Sequence, residues 1–323
     1  MKKSVHLPSQ TGNQPVRVLK YNILDNLLKV HIGKESDLAK LVEEKGLKRD
    51  FGYIAEDKEI IAPIAADSQI PFVDADKRIN LPETFLSYVW CLSYSILVLY
   101  DFNHKRMIGR SADVNLNEVL LAEEVASYGI SLVRSFSRWD VERLPNPELY
   151  DAEKEPFIEL ANGVFSHAMT FILSHELAHV ALGDIDEMNR ANMANVYVSA
   201  HDRLSEEFRA DGFATKTMLQ CTLDQQTFTN RGVGIIVGVM CLLLLQSGLS
   251  SKDHPDIDER IEMAMDALEL DETNGLWLVG LAGIKLWDVH YKKNLAWPQC
   301  ALTPKQAFQN ILAAIRKRKA EQR

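Results

Sequence analysis

Short apolar runs separated by prolines mark the first part of the chain, and this pattern is typical of short strands. Residues 16–23 predict a strand, and residues 51–81 have strand character. Residues 36–45 predict a helix that ends at a glycine. The polar residues 1–15 predict a disordered N-terminus. We therefore expect the β-structure of the protein, including an edge strand, to come from this part of the chain.

Longer apolar segments follow from residue 82 onwards, and their length favours helices. The pattern predicts a mostly helical α+β protein with a small N-terminal β-containing region. We expect residues 1–81 to form an N-terminal α/β region and residues 82–323 a helical region, joined in one compact domain. Gly232, Gly234 and Gly238 are interpreted as sites of close helix packing. The predicted helices of the second region span residues 82–102, 115–137, 164–182, 205–220, 233–247, 256–270, 276–288 and 304–319.

The overall composition is that of an ordinary globular protein, since 46% of the 323 residues are hydrophobic and 25% are charged. The formal net charge of −9 argues against nucleic-acid binding as the main role. One basic cluster stands out, at residues 316–319. We interpret it as the solvated end of the last helix.

Signals for export or membrane insertion are weak in this sequence. The N-terminus lacks the hydrophobic stretch of a signal peptide, and the 4 cysteines include no Cys-x-x-Cys spacing. The apolar stretches at residues 85–100 and 233–245 are shorter than the roughly 20 residues that a membrane-spanning helix needs. We expect a cytoplasmic protein without a transmembrane span, and peripheral membrane association stays open.

The motif His-Glu-Leu-Ala-His at residues 175–179 lies in an apolar segment that is predicted to form a buried helix. Residues four apart share one face of a helix, so His175 and His179 can hold one metal ion. Glu176 can reach a water on that ion and act as a general base. Burial of these side chains without a partner is costly, and a metal supplies the partner. The alternative is an ordinary helix with two half-buried histidines.

A catalytic zinc usually has three protein ligands and an open position for water. We expect the third ligand in the helix at residues 205–220, where Glu207 and Asp211 lie four residues apart on one face. Glu207 can bind the metal, while Asp211 can accept a hydrogen bond from the far ring nitrogen of a ligand histidine. The alternatives are His201 as the third ligand and an acidic helix start without a metal role. The expected cofactor is one Zn²⁺ ion.

A candidate for oxyanion stabilisation follows the apolar segment at residues 233–247. His254 and Arg260 lie near the start of the next predicted helix. Either side chain can donate a hydrogen bond to the oxyanion that forms when water attacks a peptide carbonyl. The alternative is an ordinary helix N-terminus without a catalytic role.

The order of these motifs resembles the gluzincin metallopeptidases: His-Glu-x-x-His, then Glu-x-x-x-Asp with Ala before the Asp, then His-Pro followed by Arg-Ile. The last two motifs also resemble the HtpX and CAAX-protease branch, which carries membrane spans. Over roughly residues 70–270 the sequence is more similar to the Lit family of bacterial phage-exclusion peptidases. The similar segments are Leu-Ser-Tyr-Val-Trp at 86–90, Phe-Ile-Leu-Ser-His-Glu-Leu-Ala-His at 171–179, Glu206-Glu207, Ala210-Asp211, Ala214-Thr215, the apolar stretch at 233–246 and His254-Pro255.

The resemblance implies a zincin-like fold and a zinc-dependent endopeptidase of the bacterial cytoplasm, with association to the inner membrane as a further expectation. It also implies that the substrate is elongation factor Tu and that cleavage is triggered during phage infection, with a phage-derived activator as a further partner. Two alternatives stay open: a regulatory zincin-fold protein without hydrolysis, and a peptidase that cleaves a transcriptional repressor. Substrate choice depends on surfaces that the motifs do not determine.

Overall fold

A computed structural model gives the architecture of the chain. It describes residues 3–4, 14–31, 37–48, 52–54, 70–194, 199–220, 224–250, 255–297 and 303–321. Helices predominate among these residues and strands are short, which confirms the prediction of a mostly helical α+β protein. The strands are β1 (Lys3–Ser4), β2 (Gly52–Ile54), β3 (Phe72–Val73), β4 (Ile79–Pro82) and β5 (Leu149–Tyr150). The helices are α1 (Lys20–Val30), α2 (Leu38–Lys45), α3 (Glu83–Met107), α4 (Leu116–Leu132), α5 (Pro156–Ala181), α6 (Asp184–Met193), α7 (Ala200–Leu219), α8 (Gln225–Leu243), α9 (Ile257–Asp266), α10 (Leu276–His290) and α11 (Pro304–Glu321).

Helix α5 lies at the centre of the helical core because it is apolar on nearly all sides. Helices α3, α7 and α8 pack against it, and α1 also contacts it. Its side chains Phe165, Phe171 and Leu177 are fully buried. The helix that carries the His-Glu-Leu-Ala-His motif is therefore held in place by several neighbours.

Two glycines of α8 allow that helix to approach α5 closely. A Cβ atom on Gly234 would lie 2.4 Å from the Cβ atom of His167, and one on Gly238 would lie 2.7 Å from Cδ1 of Phe171. A side chain at either position would force the two helices apart. The interpretation of these glycines as sites of close helix packing is confirmed.

A small sheet lies beside the motif helix. Its strands follow the order β2-β4-β3, with β4 parallel to β2 and antiparallel to β3. Among the described strands, β3 forms one edge of this sheet, and it contacts α5. Strand β1 pairs separately with β5. The strand character predicted for residues 51–81 is confirmed for β2, β3 and β4, whereas residues 55–69 lie outside the described part of the chain.

Residues 16–23, which the sequence predicts as a strand, are helical instead. A 3-10 helix spans Pro15–Leu19, and α1 follows it directly. Ile23, Leu27 and Val30 are buried at helical spacing. The prediction was wrong because this three-to-four-residue period outweighs the strand preference of the β-branched residues before it.

The predicted disorder of residues 1–15 is wrong where that stretch is described. Lys3–Ser4 pairs with β5, and the side chain of Gln14 is buried. The amide of Gln14 donates a 2.7 Å hydrogen bond to the backbone carbonyl of Ser137. The other residues of the stretch lie outside the described part, and the division into regions 1–81 and 82–323 stays a prediction.

Three helices, α3, α5 and α8, are long and apolar enough to cross a membrane by length and composition. The expectation that the apolar stretches are too short was wrong for α3, which has 25 residues, and for α8, which has 19. Each helix continues beyond its apolar stretch into flanking residues. The three helices pack against one another, and 78%, 67% and 56% of their apolar windows are buried inside the protein. Core packing alone is therefore a sufficient reason for their apolar composition.

The basic cluster at residues 316–319 is more than a solvated helix end. Lys319 Nζ lies 2.7 Å from a carboxylate oxygen of Asp256 and 2.7 Å from one of Asp258. Arg316 Nε lies 3.2 Å from Asp258 as well. The interpretation as a solvated end holds for Lys317, which is exposed, and was wrong for Lys319, whose side chain is only 10% exposed and pairs with two carboxylates at the start of α9. Helix α11 is thereby tied to the start of α9.

Candidate metal centre

Three potential metal ligands, His175, His179 and Glu207, meet between α5 and α7, with one donor atom of each within 4.8 Å of the others. The two Nε2 atoms are 3.4 Å apart. Glu207 Oε2 lies 3.6 Å from His175 Nε2, and Glu207 Oε1 lies 4.0 Å from His179 Nε2. A tetrahedral zinc ion with bonds of about 2.0–2.1 Å would hold its donors roughly 3.3 Å apart. The donor types and their spacing therefore fit a zinc ion.

Each histidine is oriented by a carboxylate on its far ring nitrogen. His175 Nδ1 donates to Asp211 Oδ1 at 2.9 Å, and His179 Nδ1 donates to Asp184 Oδ2 at 2.9 Å. A carboxylate can only accept, so the shared proton lies on Nδ1 in both rings. In the neutral form of both rings, which is the form that binds a metal, the Nε2 atoms are acceptors that face each other and Glu207.

Helix α7 supplies Glu207 and Asp211 from one face, as their four-residue spacing predicts. The small side chains of Ala210 and Ala214 are fully buried on the same helix, which packs against α5. Small residues at a helix contact permit a close approach of the backbones. This close approach brings both acidic side chains of α7 within reach of His175.

Asp211 is nearly inaccessible to solvent and is paired with Arg260 of α9. Arg260 donates from Nε to Asp211 Oδ2 at 2.5 Å and from Nη2 to Asp211 Oδ1 at 2.8 Å. Burial alone would raise the pKa of the Asp211 carboxyl, but Arg260 and the hydrogen bond from His175 lower that pKa below its ordinary value. Asp211 is therefore held as a charged acceptor behind His175.

The described contacts of Arg260 are those of a positioning residue. Its side chain is almost fully buried, its fork binds Asp211, and its Nη2 atom lies 3.5 Å from Glu207 Oε2. A guanidinium engaged on two carboxylates is poorly placed to be the main oxyanion donor. The oxyanion role predicted for Arg260 is untested and stays a prediction, and His254 lies outside the described residues.

Asp184 completes the pair of carboxylates behind the histidines and is not among the residues that the sequence predicts for the site. The motif helix α5 is followed by Gly183, whose φ of +88° turns the chain directly into α6. This turn places Asp184 beside His179, with Arg209 Nη2 at 2.8 Å from its second oxygen. A glycine followed by an acid just after the motif is the signal that could have drawn attention to it.

Glu176 is the fourth titratable side chain at the candidate ligands. It follows His175 on α5 and lines the same cavity as the three candidate ligands. Burial raises the pKa of the Glu176 carboxyl above its ordinary value, although the neighbouring histidines oppose the shift. A carboxylate with a raised pKa is a stronger base near neutral pH, which suits a group that accepts a proton from water.

A cavity of about 540 Å³ opens at the three candidate ligands. Glu176, Glu206 and Arg260 contribute to its polar part. Strand β3 and the residues just before it form another part of its wall. An apolar part of the wall is formed by Val133, Ile185, Met188, Leu242 and Leu245. A cleft with one polar side, one apolar side and an edge strand suits an extended peptide segment.

The family model of peptidase U49 matches residues 79–280, which is well over half of the chain. The chain belongs to the peptidase U49 family. The protein is accordingly a peptidase. Neither a curated protein nor a solved structure matches the chain.

The segment shared with the U49 peptidases contains all the described residues of the candidate metal centre, from His175 on α5 to Arg260 on α9. The edge strand β3 and helix α11 lie outside that segment. His201, the alternative third ligand, belongs to α7, but its side chain lies outside the described part of the structure. The structure thus brings together six of the residues that the sequence predicts for the site: His175, Glu176, His179, Glu207, Asp211 and Arg260.

Proposed function

We propose that this U49 peptidase is a zinc-dependent endopeptidase of the gluzincin type, with a zincin-like fold and one Zn²⁺ ion. The observation that carries the proposal is the spacing of three donors, His175, His179 and Glu207, which suits tetrahedral zinc. Two features support it further. A carboxylate lies behind each histidine, and Glu176 lines the cavity at the donors.

The two histidine Nε2 atoms and the Glu207 carboxylate would hold the ion. The chemistry that zinc supplies when bound is Lewis acidity, which makes water more acidic and polarises a carbonyl. Glu176 accepts the proton of the attacking water and later gives it to the leaving amine. Asp211 and Asp184 keep the protons of both histidines on Nδ1, so that the rings do not lose their orientation during the reaction.

The cavity favours an extended protein segment as the substrate. The edge strand β3 offers backbone groups with which such a segment can pair, and the apolar wall offers a place for an apolar side chain. The net charge of −9 disfavours a nucleic-acid partner. Cleavage within an extended segment of a cellular protein, rather than of a small molecule, is the activity that these features suit.

The resemblance to the Lit family carries the finer part of the proposal. On that basis the substrate is elongation factor Tu, cleavage follows activation by a phage-derived partner, and the biological role is phage exclusion, a form of antiviral defence. The proposed location is the bacterial cytoplasm, with peripheral contact to the inner membrane as a further property. These points depend on surfaces outside the metal centre and are tested separately from the chemistry.

The first prediction concerns the general base. Glu176→Gln should lower peptide cleavage by roughly 100-fold to 10,000-fold, because the amide cannot accept the proton of water. Zinc should stay bound in this variant, whereas Glu207→Ala should lose stoichiometric zinc since a ligand is removed. The measurement combines zinc content with mapping of new N-termini after incubation with bacterial lysate and with purified elongation factor Tu.

Glu187→Gln is the matched control, because Glu187 is an exposed glutamate of the neighbouring helix α6. It should cleave and bind zinc like the wild type. Cleavage activity that survives in Glu176→Gln would show that Glu176 is not the general base. Stoichiometric zinc in Glu207→Ala would show that another residue is the third ligand. Cleavage of a protein other than elongation factor Tu would support the proposed peptidase chemistry and contradict the proposed substrate and its role in phage exclusion.

A further inference from the structure

The carboxylate of Asp184 is built into the metal centre from outside the His-Glu-Leu-Ala-His motif. Only 6% of its side chain is exposed, and both of its oxygens are engaged. Oδ2 accepts the Nδ1 proton of His179 at 2.9 Å, while Oδ1 lies 2.8 Å from Nη2 of Arg209. The left-handed conformation of Gly183, with φ of +88°, is what brings the first residue of α6 back onto the last turn of α5.

Arg209 connects this carboxylate to the helix that supplies the third candidate ligand. It stands two residues after Glu207 on α7, and its guanidinium reaches Asp184 across the end of α5. His179, Asp184 and Arg209 thus form a chain of hydrogen bonds from α5 through α6 to α7. A displacement of Asp184 would break the hydrogen bond that orients the ring of His179. It would also break the hydrogen bond from Arg209, which links the two helices that carry the ligands.

We propose that Asp184 is a positioning residue for the metal ligand His179, and that Arg209 holds its carboxylate in place. The inference rests on the proposed zinc function and deepens it. Asp184 keeps His179 in the tautomer with the proton on Nδ1, directs Nε2 toward the ion and increases the basicity of the ring. Because the ring is held by a charged acceptor, His179 needs little reorganisation when zinc binds.

A purely structural role for Asp184 makes a different prediction. Asp184, Asp186 and Glu187 all stand in the first turn of α6, where carboxylates interact favourably with the helix dipole. If the dipole were the only reason for Asp184, its removal would lower stability and leave the zinc affinity of the folded protein unchanged. Zinc affinity therefore separates the two roles, and it requires no substrate.

The experiment measures the zinc dissociation constant by competition with a chelator, in the full-length protein. Asp184→Ala should weaken zinc binding roughly 10-fold to 100-fold, which is the usual effect of removing a carboxylate behind a ligand histidine. Asp184→Asn should lose less, because an amide oxygen can still accept the Nδ1 proton while the charge is gone. Cleavage activity at saturating zinc should recover in part in both variants.

Asp186→Asn is the matched control. Asp186 stands in the same turn of α6, but it pairs with Lys77 at 2.7 Å and its side chain is 49% exposed. Zinc affinity in this variant should equal that of the wild type. Circular dichroism of each variant shows whether it is folded, and Asp184→Asn carries the test if the alanine variant does not fold.

Wild-type zinc affinity in folded Asp184→Ala or Asp184→Asn would overturn the role of Asp184 and leave the proposed function intact. A wild-type protein that binds no zinc would overturn both proposals. A wild type that binds zinc and cleaves no protein would overturn the proposed function alone, since the affinity comparison still reports on Asp184. The failures of the two proposals are therefore distinguishable.

Discussion

The two histidines of the metal centre are supported by the same inner contact and by different outer contacts. Each Nδ1 proton is accepted by a carboxylate at 2.9 Å, from Asp211 on one side and from Asp184 on the other. Behind Asp211 stands Arg260, whose side chain is only 3% exposed, whereas behind Asp184 stands Arg209, whose side chain is 49% exposed. We call Asp211 with Arg260 the core support of His175, because both side chains are buried in the protein core. We call Asp184 with Arg209 the rim support of His179, because its arginine lies at the edge of the core.

This difference has an energetic consequence. A buried ion pair is costly to break because the remaining charge is left without water or a partner. The Asp184–Arg209 pair should be worth less, because its arginine is half exposed to solvent although its carboxylate is buried. The Asp211 support therefore couples the metal centre to the stability of the whole protein, while the Asp184 support can adjust zinc binding with little effect on folding.

The largest expected effect concerns Arg260. Arg260→Met should lower the free energy of unfolding by about 3–5 kcal/mol, because Asp211 would stay buried without its cationic partner. Zinc affinity should fall as well, since Asp211 is then free to turn away from His175. Denaturant unfolding in the presence of a chelator measures the stability term without a contribution from bound metal.

A second substitution sharpens this result. The double variant Arg260→Met with Asp211→Asn should unfold less easily than Arg260→Met alone, because no uncompensated carboxylate remains. Arg190→Met is the control, since Arg190 is exposed on α6, and it should change stability by less than about 0.5 kcal/mol. A loss below about 1 kcal/mol in Arg260→Met would mean that both supports are of the same kind.

The next smaller effect concerns the way α9, which carries Arg260, is held by α11. Lys319 lies 2.7 Å from Asp256 and 2.7 Å from Asp258, and the side chain of Asp258 is 3% exposed. Lys319→Met should lower the free energy of unfolding by about 1–2 kcal/mol. The loss should be limited because Arg316 still pairs with Asp258 in this variant. The same unfolding measurement tests it.

Lys317→Met is the matched control for this prediction, because Lys317 is exposed on the same helix. It should leave stability unchanged. If Lys319→Met also weakens zinc binding, the core support of His175 extends through α9 to the C-terminal helix. If Lys319→Met changes stability no more than Lys317→Met does, the ion pairs of Lys319 do not help to fix the position of α9.

The comparison of the two supports also shows how much of the site the sequence can predict. Glu207 and Asp211 were found because a four-residue spacing on a helix puts both on one face. Asp184 was missed because its contact with His179 depends on the backbone turn at Gly183, which a helix pattern does not contain. The partner of Arg260 could not be predicted either, because 49 residues separate it from Asp211.

The fold was predictable to a similar extent and for a similar reason. Long apolar segments such as those of α3 and α8 predicted helices because the length of an apolar segment can be read from the local sequence. Residues 16–23 were assigned to the wrong structure, since the short stretch fits either a strand or the start of a helix until the burial of Ile23, Leu27 and Val30 is known. Contacts between distant segments, like that of Lys319 with α9, cannot be predicted from local sequence patterns.

The smallest expected effect concerns Arg209 at the rim. Arg209→Gln should change the free energy of unfolding by less than about 1 kcal/mol, because half of the arginine side chain is exposed to solvent. Zinc affinity should fall only a few-fold, less than in Asp184→Ala, since the carboxylate that touches His179 stays in place. Raising the salt concentration to about 1 M should shrink this difference from the wild type, because exposed charges are screened, while the loss in Arg260→Met should persist. A salt-independent loss in Arg209→Gln as large as that in Arg260→Met would show that the rim support is as rigid as the core support, and that burial does not separate them.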